Sequence, residues 1–416
     1  MNRVNSSKFF SLLMLIPSLS WGAVTFINGK QVKDDTASPN LLSDSQFQAT
    51  IKPEDITFAN HFYVDQIQAC EAMDKSYTAK FNEQHTVDEV KNLIGYDWPA
   101  DWEANSNSMN VRHKGITTPI TRLMSGTHNA IADENHESII IAKSLLVDLA
   151  KADTLFNSIG YYEVKKKPGC YAGGDIQSPC WFHQYNFARD VFSNYIITAL
   201  WLKDELNDQE FKIVNKYINK MYKKFTKPIE FHTEKQGFYQ MANGGTGVLA
   251  YASWANDKEL AAKQITHRFK EIDTLFYEDG YINNNSFRGY RGQWYHSYGL
   301  DSALGFVYIA QLWGAEVPIK ILDKLVKASE VANLAITDWD KFKSREFSGA
   351  VNNKIEDPIN ARKHTHEQAF ALDTLMKILI NVELVNDPAY LKKKKIKMHE
   401  GIDQLVGFNP NCIPQN

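Results

Sequence analysis

"NDQEFKIVNKYINKMYKKF", residues 207–225, carries Phe211, Val214, Ile218, Met221 and Phe225 at alternating steps of three and four. That spacing returns one apolar stripe to the same side of a 3.6-residue helix and leaves the lysines and asparagines outside. Asn207, with Glu210 three positions later, adds a capping-box start. "HESIIIAKSLLVDLAKADTLF" (136–156) repeats the pattern through Ile139, Ala142, Leu146, Leu149 and Leu155. Further amphipathic runs fall at about 184–206, 246–255, 258–275, 299–314, 317–336 and 364–383. Short polar or glycine-containing turns, such as "YEDGYINN" and "LWGAEVP", separate them, and alternating β patterns are few. Helices joined by short loops become antiparallel neighbours. The predicted fold is therefore all-α, an incomplete (α/α) toroid of antiparallel helical hairpins. No strict period marks a regular solenoid.

The N-terminus sets the expected compartment. Arg3 and Lys8 precede an apolar stretch, Phe9–Pro17, and Ser20 and Gly22 occupy the −3 and −1 positions of a cut before Ala23. This reads as a secretory signal peptide over residues 1–22. An extended segment over 23–60 and a single toroid domain over 61–416 follow. No later segment approaches eighteen unbroken apolar residues, so no membrane span is expected and the protein is placed in the periplasm or outside the cell. Four cysteines suit an exported chain and allow three pairings. Cys170 and Cys180 bracket the turn-rich "YAGGDIQSP", favouring a short-loop bridge and leaving Cys70 with Cys412. No CxxC pair exists, so no cysteine zinc site is expected.

Losing Arg3 and Lys8 with the leader moves the formal net charge from −3 to −5. A nucleic-acid binder is usually strongly basic, so no nucleic-acid partner is expected. The run "LKKKKIK" (391–397) reads as a solvated helix face. In "KHTHEQAF" (363–370), His364 and His366 are two apart and point to different helix faces; the second histidine of a metalloprotease motif is missing. No metal and no cofactor are expected. "MANGGTG" (241–247) lacks the Lys-Ser/Thr of a phosphate loop and reads as a glycine-rich helix start beside a cleft.

The chemistry concentrates in "SFRGYRGQWYHSYGLD", residues 286–301. On a helix beginning within it, Arg288, Arg291, Tyr295 and Tyr298 form a cationic and phenolic stripe, while Leu300, Leu304 and Val307 carry the core face onward. Two early glycines, poor for a helix, permit close approach of something else, a substrate among the candidates. A phenol is a weak base at neutral pH, but an arginine within about 4–6 Å favours its phenolate. Such a phenolate can take a carbon-bound proton and the resulting phenol can protonate a leaving oxygen. β-Elimination on a uronic acid needs those parts, plus donors that neutralise the carboxylate. The same residues also read as aromatics at a helix start with arginines stacked on them.

The block "DGYINNNSFRGYRGQWYHSYGLDSALGFVYIAQLWG" (279–314) resembles the second catalytic block of the all-helical alginate lyases, the poly(mannuronate) lyase family. Matched residue by residue, the resemblance implies a catalytic arginine at Arg288, an acid/base tyrosine at Tyr295 and a second tyrosine at Tyr298. "SLLVDLAKADTL" (144–155), "CWFHQYNFARDVFSNYIITALW" (180–201) and "WANDKELAAKQITHRFKEI" (254–272) resemble the family's upstream helices, extending the match to about residues 137–315. It places cleft residues at Trp181 and Gln184, with His183 and Arg291 beside the substrate. The family's Asn-His pair, which neutralises the uronate carboxylate, falls on "GFYQMANGGTG" (237–247), where no such pair exists. Gln240 and Asn243 are the amide candidates for that task, Tyr239 lies with them, and His232, His183 and His296 are the imidazole candidates. The family's N-terminal segment supplies a lid with a basic residue, for which Arg112 and Lys114, in an apparent loop at "SMNVRHKGITTPITRL" (108–123), are candidates without a residue-by-residue match. The expected protein is an exported, monomeric polysaccharide lyase with an acidic polysaccharide as substrate, alginate or a related polyuronate. The alternatives are a hydrolase on the same toroid, using carboxylates such as Asp279 and Asp301, and an inactive polysaccharide-binding protein.

Overall fold

The computed structural model describes residues 24–27, 30–33, 47, 51–58, 84–97, 106–158, 187–231, 238–283, 285–287, 292–345 and 372–385. Strands β1 (Val24–Ile27) and β2 (Lys30–Lys33) pair as an antiparallel ribbon with Val24 opposite Lys33. All other regular structure among the described residues is helical. The α-helices are α1 (Gln84–Leu93), α2 (Ser106–Ala132), α3 (His136–Lys151), α4 (Ser193–Trp201), α5 (Asp208–Met221), α6 (Phe238–Ala255), α7 (Lys258–Leu275), α8 (Gly292–Leu312), α9 (Ile319–Thr337), α10 (Trp339–Ser344) and α11 (Leu372–Ile380).

Local chemistry sets the helix ends. Asn207 Oδ1 accepts from the backbone N–H of Gln209 and Glu210, both at 3.0 Å, and Glu210 Oε2 accepts from Asn207 N–H at 3.0 Å. The capping box is therefore complete, and Val214, Tyr217, Ile218 and Met221 are the buried face of α5. Asn135 and Asp257 cap α3 and α7 through Ser138 N–H and Leu260 N–H. Phe225, the last member of the opening stripe, is buried from a π-helical turn, Tyr222–Thr226, that continues α5.

The helices form two layers. Helices α2, α4, α6, α8 and α11 pack side by side in that order as an inner row, and α3, α5, α7 and α9 lie outside them. Side-chain pairs fix the directions. Thr121 of α2 meets Asn194 of α4, and seven residues further along both, His128 meets Trp201, so these inner helices run parallel. Lys143 pairs with Glu210 and, ten residues on, Asp153 pairs with Lys220, so α3 and α5 are parallel too. Asn215 with Trp254 and Asn219 with Tyr251 run in opposite senses, which makes α5 antiparallel to α6. This is the expected toroid of helical hairpins. Among the described residues, a main apolar core runs through it from Phe47 to Leu384, and a smaller cluster gathers Tyr281, Phe287, Val331, Ala335, Trp339 and Phe342. The segment ahead of α1 is tied to the core by Ile51 N–H to Thr266 Oγ1 at 3.3 Å and Thr57 N–H to the Trp313 carbonyl at 2.8 Å.

One expected loop is helix: residues 108–123 lie inside α2 despite Pro119, because Ile116, Ile120, Leu123 and the adjoining Met124 bury one face. Residues 241–247 fall in the first half of α6, close to the helix start read there. There Gly247 is required by packing, since a Cβ would overlap Ser193 Oγ of α4. The four cysteines, residues 1–22, His364, His366 and the lysine run at 391–397 lie outside the described residues. No helix among the described residues is long and apolar enough to cross a membrane.

Candidate active site

Among the described residues, the inner row brings the backbone of several sequence candidates to one end. The offset of 73 residues that links Thr121 to Asn194 puts position 114 of α2 level with Phe187, where a π-helical turn (Phe187–Phe192) leads into α4. Positions 239, 240 and 243 fall in the first turns of α6, and Tyr295 and Tyr298 in the first turns of α8. The N-termini of α6 and α8 share an end because α7 runs back between them and the 276–287 loop returns the chain to α8. Asn283 N–H still bonds the Leu275 carbonyl, the last residue of α7, at 2.8 Å. Of Arg112, Lys114, Tyr239, Gln240 and Asn243 the backbone is described. Trp181, His183, Gln184, His232, Arg288 and Arg291 lie outside the described residues.

Helix α8 is described from Gly292, and Arg288 and Arg291 lie outside the described residues. Tyr295 and Tyr298 are 300° apart in phase and thus neighbours across a 60° arc. Their ring centroids are 6.5 Å apart. From Gly292 to Ala310, these two are the described side chains that reach solvent; the other described side chains are buried. Two phenols therefore open outward from a stretch of α8 whose other described side chains are buried.

The loop before α8 is held tightly. Asp279-Gly280 makes its turn, with Gly280 at φ +84°, and Phe276 bridges to Ile282. Ser286 N–H donates to the Ile282 carbonyl at 3.1 Å, and Ile282 N–H to Ser286 Oγ at 2.7 Å. The glycine at 292 serves this loop rather than a substrate, because a Cβ there would stand 2.6 Å from the Ser286 carbonyl oxygen. At Gly299 a Cβ would overlap the amide nitrogen of Asn285, which donates to the Tyr295 carbonyl at 2.6 Å.

His296 is fully buried, and both ring nitrogens are engaged: Nδ1 with Ser286 Oγ at 2.8 Å and Nε2 with the Ala328 carbonyl at 2.8 Å. A carbonyl only accepts, so Nε2 carries the proton and Nδ1 accepts from the Ser286 hydroxyl. Burial pushes the ring pKa down to about 4, against a small upward pull from the Ala328 bond. A neutral imidazole enclosed on the α9 side of α8 is not placed to meet a substrate carboxylate. His296 holds structure, and the imidazole role assigned to it in the sequence is corrected to that.

An arginine among phenols does occur, at a position the sequence reading passed over. The Arg345 guanidinium lies 5.0, 4.9 and 5.1 Å from the ring centroids of Tyr277, Tyr281 and Phe287, and pairs with Asp279. Burial nevertheless raises the pKa of both tyrosines; Arg345 lowers them and Asp279 raises them as smaller effects. Tyr281 also donates its hydroxyl to the Phe342 carbonyl at 2.9 Å. These are structural phenols. Ser286 and Asn285, which contact the start of α8, and Arg345 are the neighbours not singled out in the sequence. The turn-forming run "NNNS" marks the first two, whereas nothing local marks Arg345, 58 positions beyond Phe287. Asp301 is fully buried within α8, and Asp279 is engaged by Arg345, an arrangement unlike a pair of carboxylates flanking a scissile bond. Among the described residues, no cluster of three or more His, Cys, Asp and Glu could hold a metal ion.

No protein-family model matches the chain, and no curated protein matches it in sequence. Solved structures similar in shape include alginate lyase A1-III from Sphingomonas species A1, with 12% identity, a TM-score of 0.48, and coverage of 81% of this chain and 95% of that one. A tyrosine-to-phenylalanine variant of alginate lyase A1-III complexed with a tetrasaccharide gives 13% identity, a TM-score of 0.48, and coverage of 84% and 97%. Likenesses of this size assign no family and no activity.

Proposed function

We propose that the protein is a polysaccharide lyase that cleaves a uronate-containing polymer, alginate or a related polyuronate, by β-elimination. The observation that carries this reading is the pair Tyr295 and Tyr298, opening from a buried helix at the end of the inner row where positions 240 and 243 also lie. The Arg288-x6-Tyr295-x2-Tyr298 spacing supports it.

In this reading Tyr295, as phenolate, removes the C5 proton of the uronate. The C5–H electron pair becomes the C4–C5 double bond, the C4–O bond breaks, and the departing glycosidic oxygen takes the proton back from Tyr295. Arg288 favours the phenolate. Gln240 and Asn243 donate hydrogen bonds to the carboxylate, a weaker neutralisation than a charged group provides. Trp181, His183, Gln184, Tyr239, Arg291 and Tyr298 line the sugar path, with Arg112 and Lys114 drawing the anionic chain from the α2 side. The reaction needs no cofactor. An exported, monomeric enzyme with bridges Cys170–Cys180 and Cys70–Cys412 completes the proposal.

Product analysis over a panel of polyuronates tests it. A lyase leaves a conjugated, ultraviolet-absorbing sugar end for each bond cut. Reducing ends without that chromophore would instead mean hydrolysis, and saturable binding with neither product would mean a binding protein.

A further inference from the structure

The hydrogen bonds around His296 run in one direction across three elements. Ile282 N–H donates to Ser286 Oγ, the Ser286 hydroxyl donates to His296 Nδ1, and His296 Nε2–H donates to the Ala328 carbonyl of α9. Beside this chain, Asn285 Nδ2 donates to the carbonyl of Tyr295 itself. Gly292 and Gly299, two turns apart, leave the space in which the Ser286 carbonyl and the Asn285 amide approach α8. His296 follows Tyr295 directly, so its ring, fixed at both nitrogens, sets the rotational phase of the first turn of α8. Asn285, Ser286 and His296 are buried, and Tyr295 reaches solvent.

From this geometry we infer that Asn285, Ser286 and His296 are positioning residues for Tyr295: they lock the start of α8 between the 282–287 loop and α9 and thereby aim the Tyr295 phenol. The inference rests on Tyr295 being the reacting phenol. Each group in the relay has one role it can play. Ser286 needs a hydroxyl that accepts from a backbone N–H and donates to an imidazole, which threonine reproduces and alanine does not. A loosened phenol loses rate more than binding, because a misplacement of about 1 Å can cost on the order of 10²-fold in the chemical step.

The test uses full-length protein carrying fluorotyrosine at position 295, with a second sample labelled at the buried Tyr195 of α4 as a control. Ser286→Ala and Gly299→Ala should displace or broaden the fluorine resonance at 295 and leave that at 195 unchanged; Ser286→Thr should restore it. In unlabelled enzyme, Ser286→Ala should lower kcat roughly 10- to 100-fold with KM held within about twofold, and Ser286→Thr should recover most of the rate. An unmoved resonance at 295 in both alanine variants would overturn the positioning role whatever the enzyme does. A moved resonance with unchanged kcat would overturn its bearing on the reaction. If the resonance moves while wild-type protein releases no unsaturated product from any polyuronate, the lyase reading fails and the structural lock on Tyr295 stands.

Discussion

Tyr295 and His296 are adjacent in the chain, yet about 100° of helical phase gives one to solvent and the other to the core. Composition alone does not separate them. In "QWYHSY" the histidine looks as ready for chemistry as the tyrosines, and the information that removes it lies 32 residues away at the Ala328 carbonyl. The glycines divide similarly. Gly280 sits at φ +84° and a Cβ there would overlap the Lys327 carbonyl, so Gly280→Ala should destabilise the fold by about 2–3 kcal/mol through combined strain and collision. Chemical denaturation checks this, and a change below about 0.5 kcal/mol would show that the turn and α9 separate freely. A Gly115→Ala control meets nothing within 4 Å and should be neutral or slightly stabilising in its helix.

At the scale of elements, periodicity succeeds where a helix has one apolar face and clear caps. The run read at 258–275 has the bounds of α7, and the capping box read at Asn207 and Glu210 forms as read. Asn207→Ala should cost about 1 kcal/mol by removing the acceptor for two backbone N–H groups, measurable as a lower urea midpoint with unchanged slope. No loss would mean that packing alone fixes the start of α5. Periodicity fails where tertiary contact overrides propensity. Threonines, Gly115 and Pro119 make 108–123 look like a loop, while Ile116, Ile120 and Leu123, buried on one side with the adjoining Met124, hold it helical. The helix start read at the glycine-rich 241–247 lies close to the start of α6, but that Gly247 is a contact point between α6 and α4 is not written in the segment. A rule counting residues along one segment has no access to the neighbouring helix.

Across the whole molecule, the hairpins make the inner helices parallel, and that arrangement turns scattered sequence positions into one end of a molecule. Positions 114, 240, 243, 295 and 298 come from three inner helices and share that end because each lies near its helix's N-terminus. The hairpin architecture was legible in the sequence, whereas the coupling between α8, its loop and α9 was not. The buried histidines impose a pH dependence on this assembly. Burial pushes both His128 and His296 down to about 4 from an ordinary 6.5. Between those values the unfolded chain binds protons that the native protein refuses, so stability is complete above about pH 6.5. It falls as pH drops towards 4, by up to about 3 kcal/mol for each histidine. Urea midpoints measured from pH 7 to pH 4 should decline across that window, and a His296→Gln variant should decline less steeply. A flat profile would contradict the neutral, enclosed state of both rings.

The most direct measurement is the ultraviolet time course of wild-type protein and Tyr295→Phe on the same polyuronate. Wild type should accumulate the unsaturated-uronate chromophore, and Tyr295→Phe, which keeps the ring and loses the proton-carrying oxygen, should be slower by about 10²- to 10⁴-fold. Equal rates from the two proteins would contradict the assignment of Tyr295 as the acid and base.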